Sequence, residues 1–192
     1  GVLIAVNSEL GLDPKLVKYP CNAELLSVKL SLPNNKSVCI TNCYRVGTLG
    51  DLNLSQISNR LHRIVKSKQI VGDLIMGDFN LDSIDWSLSS SSVGLHKKFL
   101  DMFADLGFSQ LVNTSTHYLG NILDLCLTRS PHLVTNLKVL DHNEAVKSDH
   151  SGIVLELKYK CRKLKSTSFS IFVGIGPRLK IPAHTTFRLL WL

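Results

Sequence analysis

Two short stretches of this chain carry side chains that can do chemistry. Asp73-Leu74-Ile75-Met76-Gly77-Asp78-Phe79-Asn80 is an apolar run that ends in a glycine, a carboxylate and an amide. Ser148-Asp149-His150 sets a carboxylate beside an imidazole, just ahead of the apolar run Gly152–Leu157. Acid, amide and imidazole held at strand ends suit metal-assisted attack of water on a phosphate. Asp78 and Asn80 lie two apart, so on an extended chain they point the same way. Asp78 would then orient or deprotonate a water, and Asn80 would position that water or the phosphate. A plain strand-end turn accounts for the same residues equally well, because Gly, Asp and Asn are the commonest turn formers.

Asp124 adds weight to the first reading. It sits inside the apolar run Ile122-Leu123-Asp124-Leu125-Cys126-Leu127. A carboxylate in a buried strand is costly unless something pairs with it. His150 is the natural partner, and such a pair fixes the ring and favours the imidazolium. The alternative is a strand whose polar side faces water, against which Cys126 on the same face argues. Taken alone, Asp149 and His150 read as a solvated loop pair. Tyr44 ends a strand and precedes Arg45, a phenol and a guanidinium suited to phosphate contact. An edge aromatic with a solvated arginine is the other reading. Thr114, Thr116 and His117 fall in a loop before Asp124, while His62, His96, His132, His142 and His184 read as solvated.

The elements that must position these groups follow from periodicity. Val2–Val6 reads as a buried strand and residues 9–20, with Gly11 and Pro14, as a loop. Ala23–Leu30 and Val38–Tyr44 read as strands joined by the turn Pro33-Asn34-Asn35, an antiparallel hairpin. Leu54, Ile57, Leu61, Ile64 and Val65 recur at helical spacing to about Lys68. Asp73–Gly77 is a short central strand, and the Ser-rich stretch 81–92 a loop. Leu95, Phe99, Met102, Phe103 and Leu106 mark a second amphipathic helix, stopped by Gly107. Further strands are expected near 110–112, 122–127, 133–140 and 152–157. Many strands and two helices without strict alternation indicate an α+β sandwich with its helices outside the sheets.

Composition narrows the class. A chain of 192 residues, 44% hydrophobic and 19% charged, can build a full core and does not read as disordered. No apolar run reaches the length of a bilayer span. Gly1–Val6 lacks a preceding basic segment and does not read as a signal peptide. The net charge of +7 is unevenly placed: eight Lys/Arg and no acids fall in 158–192. Residues 1–157 therefore hold 14 bases (22 − 8) against 15 acids, a net −1. The case for nucleic acid rests on the site and not on the charge. Five cysteines without a CxxC pair fit buried thiols in a reducing compartment and argue against a zinc site. The expectation is an intracellular, nuclear protein.

The order of motifs is specific. Asn42-Cys43-Tyr44-Arg45, Gly77-Asp78-Phe79-Asn80, Leu111 to His117, Gly120-Asn121-Ile122-Leu123-Asp124-Leu125 and Ser148-Asp149-His150 together resemble the endonuclease/exonuclease/phosphatase superfamily. Within it the chain looks most like the endonuclease domain of non-LTR (LINE-type) retrotransposons, a branch of which Asp82-Ser83-Ile84-Asp85-Trp86 is also typical. The resemblance covers roughly residues 1–158 and leaves 159–192 as a basic, non-homologous tail. It implies a four-layer α/β sandwich of the DNase I-like type, incomplete at the N-terminus. It implies Mg²⁺-dependent nicking of DNA to prime reverse transcription, with a reverse transcriptase in the parent polyprotein. By motif, Tyr44 resembles the phosphate-contacting tyrosine, Asp78 the water-activating acid and Asn80 its partner. Asp124 resembles the acid that orients the histidine, His150 the histidine facing the scissile phosphate, and Asp149 a carboxylate in or near the metal site. Arg45 and Thr116 are the implied DNA contacts. Family members carry a first-strand Asn and a metal-binding Glu upstream of the segment like Gly1–Val6. Neither has a counterpart here: Glu9 and Glu24 fall after that segment, and Glu24 matches a non-catalytic strand acid. The resemblance therefore implies a truncated domain with weakened or lost Mg²⁺ binding and little activity. An inert remnant and a non-cutting nucleic-acid-binding module are the alternatives.

Overall fold

In a computed structural model, residues 2–7, 12–17, 23–32, 34–47, 50–140, 148–158, 168–170, 172–175 and 187–191 are described. The elements run β1 (Val2–Asn7), β2 (Pro14–Leu16), β3 (Glu24–Leu32), β4 (Lys36–Tyr44), α1 (Gly50–Lys66) and β5 (Ile70–Asp78). There follow β6 (Ile84–Asp85), β7 (Ser90–Ser91), α2 (Gly94–Asp105), β8 (Ser109–Gln110) and β9 (Asp124–Thr128). The chain continues through β10 (Val134–Leu140), β11 (Gly152–Lys158), β12 (Ser168–Ser170), β13 (Phe172–Ile175) and β14 (Phe187–Trp191).

The main sheet has six strands in the order β2-β3-β4-β5-β9-β8. Strands β3 and β4 form the expected antiparallel hairpin, with Asn34 and Asn35 at φ 60° and 55° in its turn. Asparagine tolerates that left-handed backbone better than most residues. Strand β5 lies parallel to β4, with α1 as the crossover, and β9 runs antiparallel to β5. Both helices cover the outer face of this sheet. Ile57, Leu61 and Ile64 of α1 join Phe99, Met102 and Phe103 of α2 over Leu25, Ile75, Leu125 and Leu127. Each such side chain contributes roughly 1.5–3 kcal/mol when fully buried. Helix α2 closes on Gly107, whose φ of +74° suits the left-handed turn that ends a helix.

The inner face packs against a second layer made of two three-stranded sheets, β13-β1-β14 and β10-β11-β12. Val2, Ile4 and Val6 of β1, with Leu155 and Leu157 of β11, meet Leu26, Val28, Ile40, Leu74 and Met76. The fold is thus α+β: one helical layer and two sheet layers among the described residues. Strands of the segment after 158 take part, β12 beside β11, and β13 and β14 on either side of β1.

Three details differ from the sequence reading. Residues 14–16, expected in a loop, form an edge strand on β3, where a proline at the first position costs no ladder bond. The Ser-rich loop contains the small hairpin β6-β7. Strand β5 begins at Ile70, three residues earlier than its apolar run suggests, because Ile70 and Gly72 pair in register with Ser37 and Val38 of β4.

Candidate active site

The registers place four polar residues in one row across the main sheet. Glu24 lies opposite Tyr44, Tyr44 opposite Asp78, and Asp78 opposite Asp124. Side chains directly opposed on neighbouring strands share a face, so all four emerge on the inner face at one end of the sheet. Gly77 makes the row possible. Its φ is +133°, and a Cβ there would stand 1.9 Å from the Cys43 carbonyl oxygen. Only glycine lets β5 approach β4 this closely.

Asp78 is buried, 5% exposed, and is held by the residue two positions on. Its Oδ1 accepts the Asn80 backbone N–H at 2.9 Å, and its Oδ2 accepts from Asn80 Nδ2 at 3.1 Å. Asn80 Nδ2 also donates to the Arg45 carbonyl oxygen at 2.8 Å. Asn80 itself turns at φ +49°. The pair is therefore a fixed unit and not a loose strand-end turn. Burial, and next the Asp124 charge, push the Asp78 carboxyl up to about 6, against the opposing pull of the Asn80 hydrogen bonds and His150.

Asp124 opens β9, a strand buried on both faces, which excludes a water-facing polar side. Its Oδ2 accepts from His150 Nδ1 at 2.7 Å. The other ring nitrogen, Nε2, stands 3.9 Å from Asp78 Oδ2. His150 thus spans the two acids. The Asp124 hydrogen bond raises it to about 9 despite desolvation, with the charges of Asp124, Asp78 and Asp149 helping. It is an imidazolium at neutral pH. Asp149 is exposed at the rim, its carboxyl lowered chiefly by its own backbone N–H.

Two expected DNA contacts turn out to be internal. Arg45 is 1% exposed, and its Nη1 donates to the carbonyls of Phe79 and Asn80, both at 3.0 Å. Its guanidinium lies over the Phe99 ring, 5.2 Å from the centroid. Thr116 is fully buried, and its Oγ1 accepts the backbone N–H groups of Leu123 at 3.0 Å and Asp124 at 2.9 Å. Neither side chain is exposed. Tyr44 is half-buried beside Asp78 on the next strand. Glu24 is two strands from Asp78 and belongs to neither group of ligating side chains described below.

Sequence reasoning passed over His117. Its Nε2 is 3.8 Å from Asp149 Oδ2, and its ring meets His150 edge-on at 5.0 Å. Backbone bonds strap its loop to the His150 loop: Tyr118 N–H to the Asp149 carbonyl at 3.0 Å, and Ser151 N–H to that of Thr116 at 2.8 Å. The motif Thr116-His117 was visible, but nothing in the linear chain shows that the two loops meet. His96 is another departure: it is 8% exposed, with Nδ1 2.6 Å from Ser83 Oγ. His62 and His132 are exposed as expected, while His142 and His184 lie outside the described residues. Cys39, Cys43 and Cys126 are buried thiols outside any disulfide, and burial pushes Cys126 up to about 12. Cys21 and Cys161 lie outside the described residues.

Among the described residues, two groups of side chains could hold a divalent ion: Asp78, Asp124 and His150, and His117, Asp149 and His150. The first offers two carboxylates and the second one, the oxygen donors that a hard cation takes.

The chain thus forms an α+β sandwich with an Asp–Asn unit and an Asp–His pair at the ends of adjoining strands. The model of the endonuclease-reverse transcriptase family matches residues 38–154, and the chain belongs to that family. No curated protein matches the chain in sequence. Among solved structures, it is similar to the 3′ phosphatase NExo from Neisseria bound to a product DNA hairpin, at 13% identity and a TM-score of 0.55. That match covers 71% of this chain and 65% of the other, so the chain spans about two thirds of that enzyme's length. It is also similar to the human Nocturnin catalytic domain, at 14% identity and a TM-score of 0.40, over 83% of this chain and 58% of that one.

Proposed function

We propose that this chain is the DNA-nicking part of a retrotransposon-type endonuclease, hydrolysing a phosphodiester with Mg²⁺. The observation that carries this reading is His150, whose Nδ1 is fixed on Asp124 while Nε2 faces Asp78 at 3.9 Å. An imidazolium presented beside a carboxyl poised near 6 is an acid–base pair matched to neutral pH. Asp78 takes the proton of the attacking water, and Asn80 keeps its carboxylate aimed. His150 faces the phosphate and offsets the charge that develops on its oxygens. The carboxylates of Asp78 and Asp124, or that of Asp149 in the neighbouring group, would hold a divalent ion, which would supply Lewis-acid stabilisation of the same charge.

Among the described residues, neither ligating group contains a glutamate. We therefore expect weak Mg²⁺ affinity and slow nicking from these 192 residues. The test is conversion of supercoiled plasmid to the nicked form in Mg²⁺, with His150→Ala and chelator as controls. Slow nicking that both controls abolish supports the reading. DNA binding without any nicking, even at high Mg²⁺, supports the non-cutting module. Robust nicking at low Mg²⁺ contradicts the weak-metal expectation.

The segment 159–192 holds seven Lys/Arg and no acid, and we propose that it adds non-specific affinity for nucleic acid. Equal, salt-sensitive DNA binding with and without that segment would contradict this.

A further inference from the structure

We propose that Arg45 is a positioning residue: a buried strut that holds Asn80 in its left-handed turn and so keeps the Asp78–Asn80 unit aimed. This rests on the endonuclease reading for its catalytic consequence, and on geometry alone for the strut.

A buried arginine normally meets a carboxylate. Here the guanidinium of Arg45 meets two carbonyl oxygens and one aromatic face, and its Nε has no partner among the described residues. The two carbonyls belong to Phe79 and Asn80, the residues directly after Asp78. Four hydrogen bonds then link Arg45 to the strand end. Beyond the two from Nη1, its backbone N–H donates to the Asp78 carbonyl at 2.8 Å, and its own carbonyl accepts from Asn80 Nδ2 at 2.8 Å. Asn80 at φ +49° holds a left-handed backbone that is uncommon even for asparagine, and such residues persist when their surroundings over-determine them. The Arg45 clamp does that. It pins both carbonyls of the turn while Asn80 Nδ2 is shared between the Arg45 carbonyl and Asp78 Oδ2. The Phe99 ring beneath the guanidinium fixes the plane of the fork. Lysine cannot reproduce this in full, because an ammonium lacks the planar face that stacks on Phe99 while Nη1 donates to both carbonyls. The buried cation also places positive charge behind Asp78.

The experiment compares Arg45→Met and Arg45→Lys with the unaltered 192-residue chain by amide hydrogen exchange and plasmid nicking. In Arg45→Met, exchange of the Asn80 N–H, which is bonded to Asp78 Oδ1, should speed up by about tenfold or more as the turn opens locally. The amides of Ile40 and Leu74 in the same sheet should be unchanged. The kcat for nicking should fall about 100-fold with KM nearly constant, the signature of misplacement and not of lost binding. Arg45→Lys should fall between. Unchanged Asn80 protection in Arg45→Met overturns the strut, and so does an Arg45→Lys chain that matches the unaltered one in both readouts. If Arg45→Met does not fold, Arg45→Lys decides by the same measurements. An unaltered chain that never nicks defeats the endonuclease reading, while Asn80 exchange still decides the strut.

Discussion

Strand β5 carries a buried aspartate near each end, and the two are built for different purposes. Asp73 Oδ2 accepts from Arg129 Nε at 2.6 Å, and its Oδ1 accepts the Arg129 backbone N–H at 2.9 Å. The Arg129 guanidinium also lies over Phe108. That carboxylate is paired and spent. Asp78, five residues on, faces another carboxylate in register and an imidazole that stops 3.9 Å short. Among the described residues, its close donors are both from Asn80. One strand, one residue type and similar burial thus give one saturated anchor and one acid left with capacity to react. Burial alone does not mark a catalytic carboxylate; the charge and reach of its partners do.

The sharpest way to break this contrast is to neutralise each acid without changing its shape. Asp78→Asn should lower nicking by about a thousandfold, within the range for loss of a general base. It should leave Tm unchanged or raised, because it removes repulsion with Asp124. Asp73→Asn should do the reverse. It strands the partly buried Arg129 and should cost about 3 kcal/mol in denaturant unfolding. Nicking per folded molecule should stay at the level of the unaltered chain. If the two variants fail in the same way, the division between anchor and reactive acid is wrong.

Much of the contrast was legible in the chain, and the reasons are local. The Gly77-Asp78-Phe79-Asn80 run, the acid inside Ile122–Leu127 and the Asp149-His150 pair are short patterns whose chemistry shows in sequence. Helices α1 and α2 were readable because their apolar residues repeat at helical spacing. What stayed hidden was which polar residues face inward. Arg45 and Thr116 look like surface contacts in a linear reading, since arginine and threonine are mostly exposed. Their burial depends on Phe99 and on the loop before Asp124, fifty-four and seven residues away. Asp73 read as the start of a strand and not as an anchor, because Arg129 is distant in sequence. His117 reaches the site only because its loop is strapped to that of His150.

Titration separates the reactive acid from the anchor more gently. Asp78 rises from 3.8 to about 6 on folding, so the folded chain binds more protons than the unfolded one between those values. Stability should therefore fall as pH rises through that window, by up to roughly 3 kcal/mol for this group. The slope should vanish in Asp78→Asn. His150 runs the other way in cause and the same way in sign: its raised value gives stability that is complete below 6.5 and lost as pH climbs through about 9. On the proposed mechanism, nicking requires the Asp78 carboxylate and the His150 imidazolium together. Its rate should trace a bell with limbs near 6 and 9. Urea unfolding from pH 4 to 10, alongside initial nicking rates, measures both. A flat rate from pH 5 to 8 would remove Asp78 from the role given to it.

Thr116 tests the smallest part of the difference, the placement of Asp124. Its hydroxyl oxygen accepts two backbone N–H groups at the start of β9. Valine matches threonine in shape but leaves both donors unmet, at about 1–3 kcal/mol. Thr116→Val should therefore lower stability within that range, while Thr116→Ser should restore most of it. The informative readout is His150. With Asp124 less firmly placed, the bond that raises the imidazole weakens, and its pKa should fall from about 9 toward 6.5. The alkaline limb of the nicking profile should move down with it. Ring-proton chemical shifts of His150 across pH give the value directly. If Thr116→Val loses stability while His150 keeps its titration, Thr116 is an anchor of the Asp73 kind, and Asp124 is held by the sheet alone.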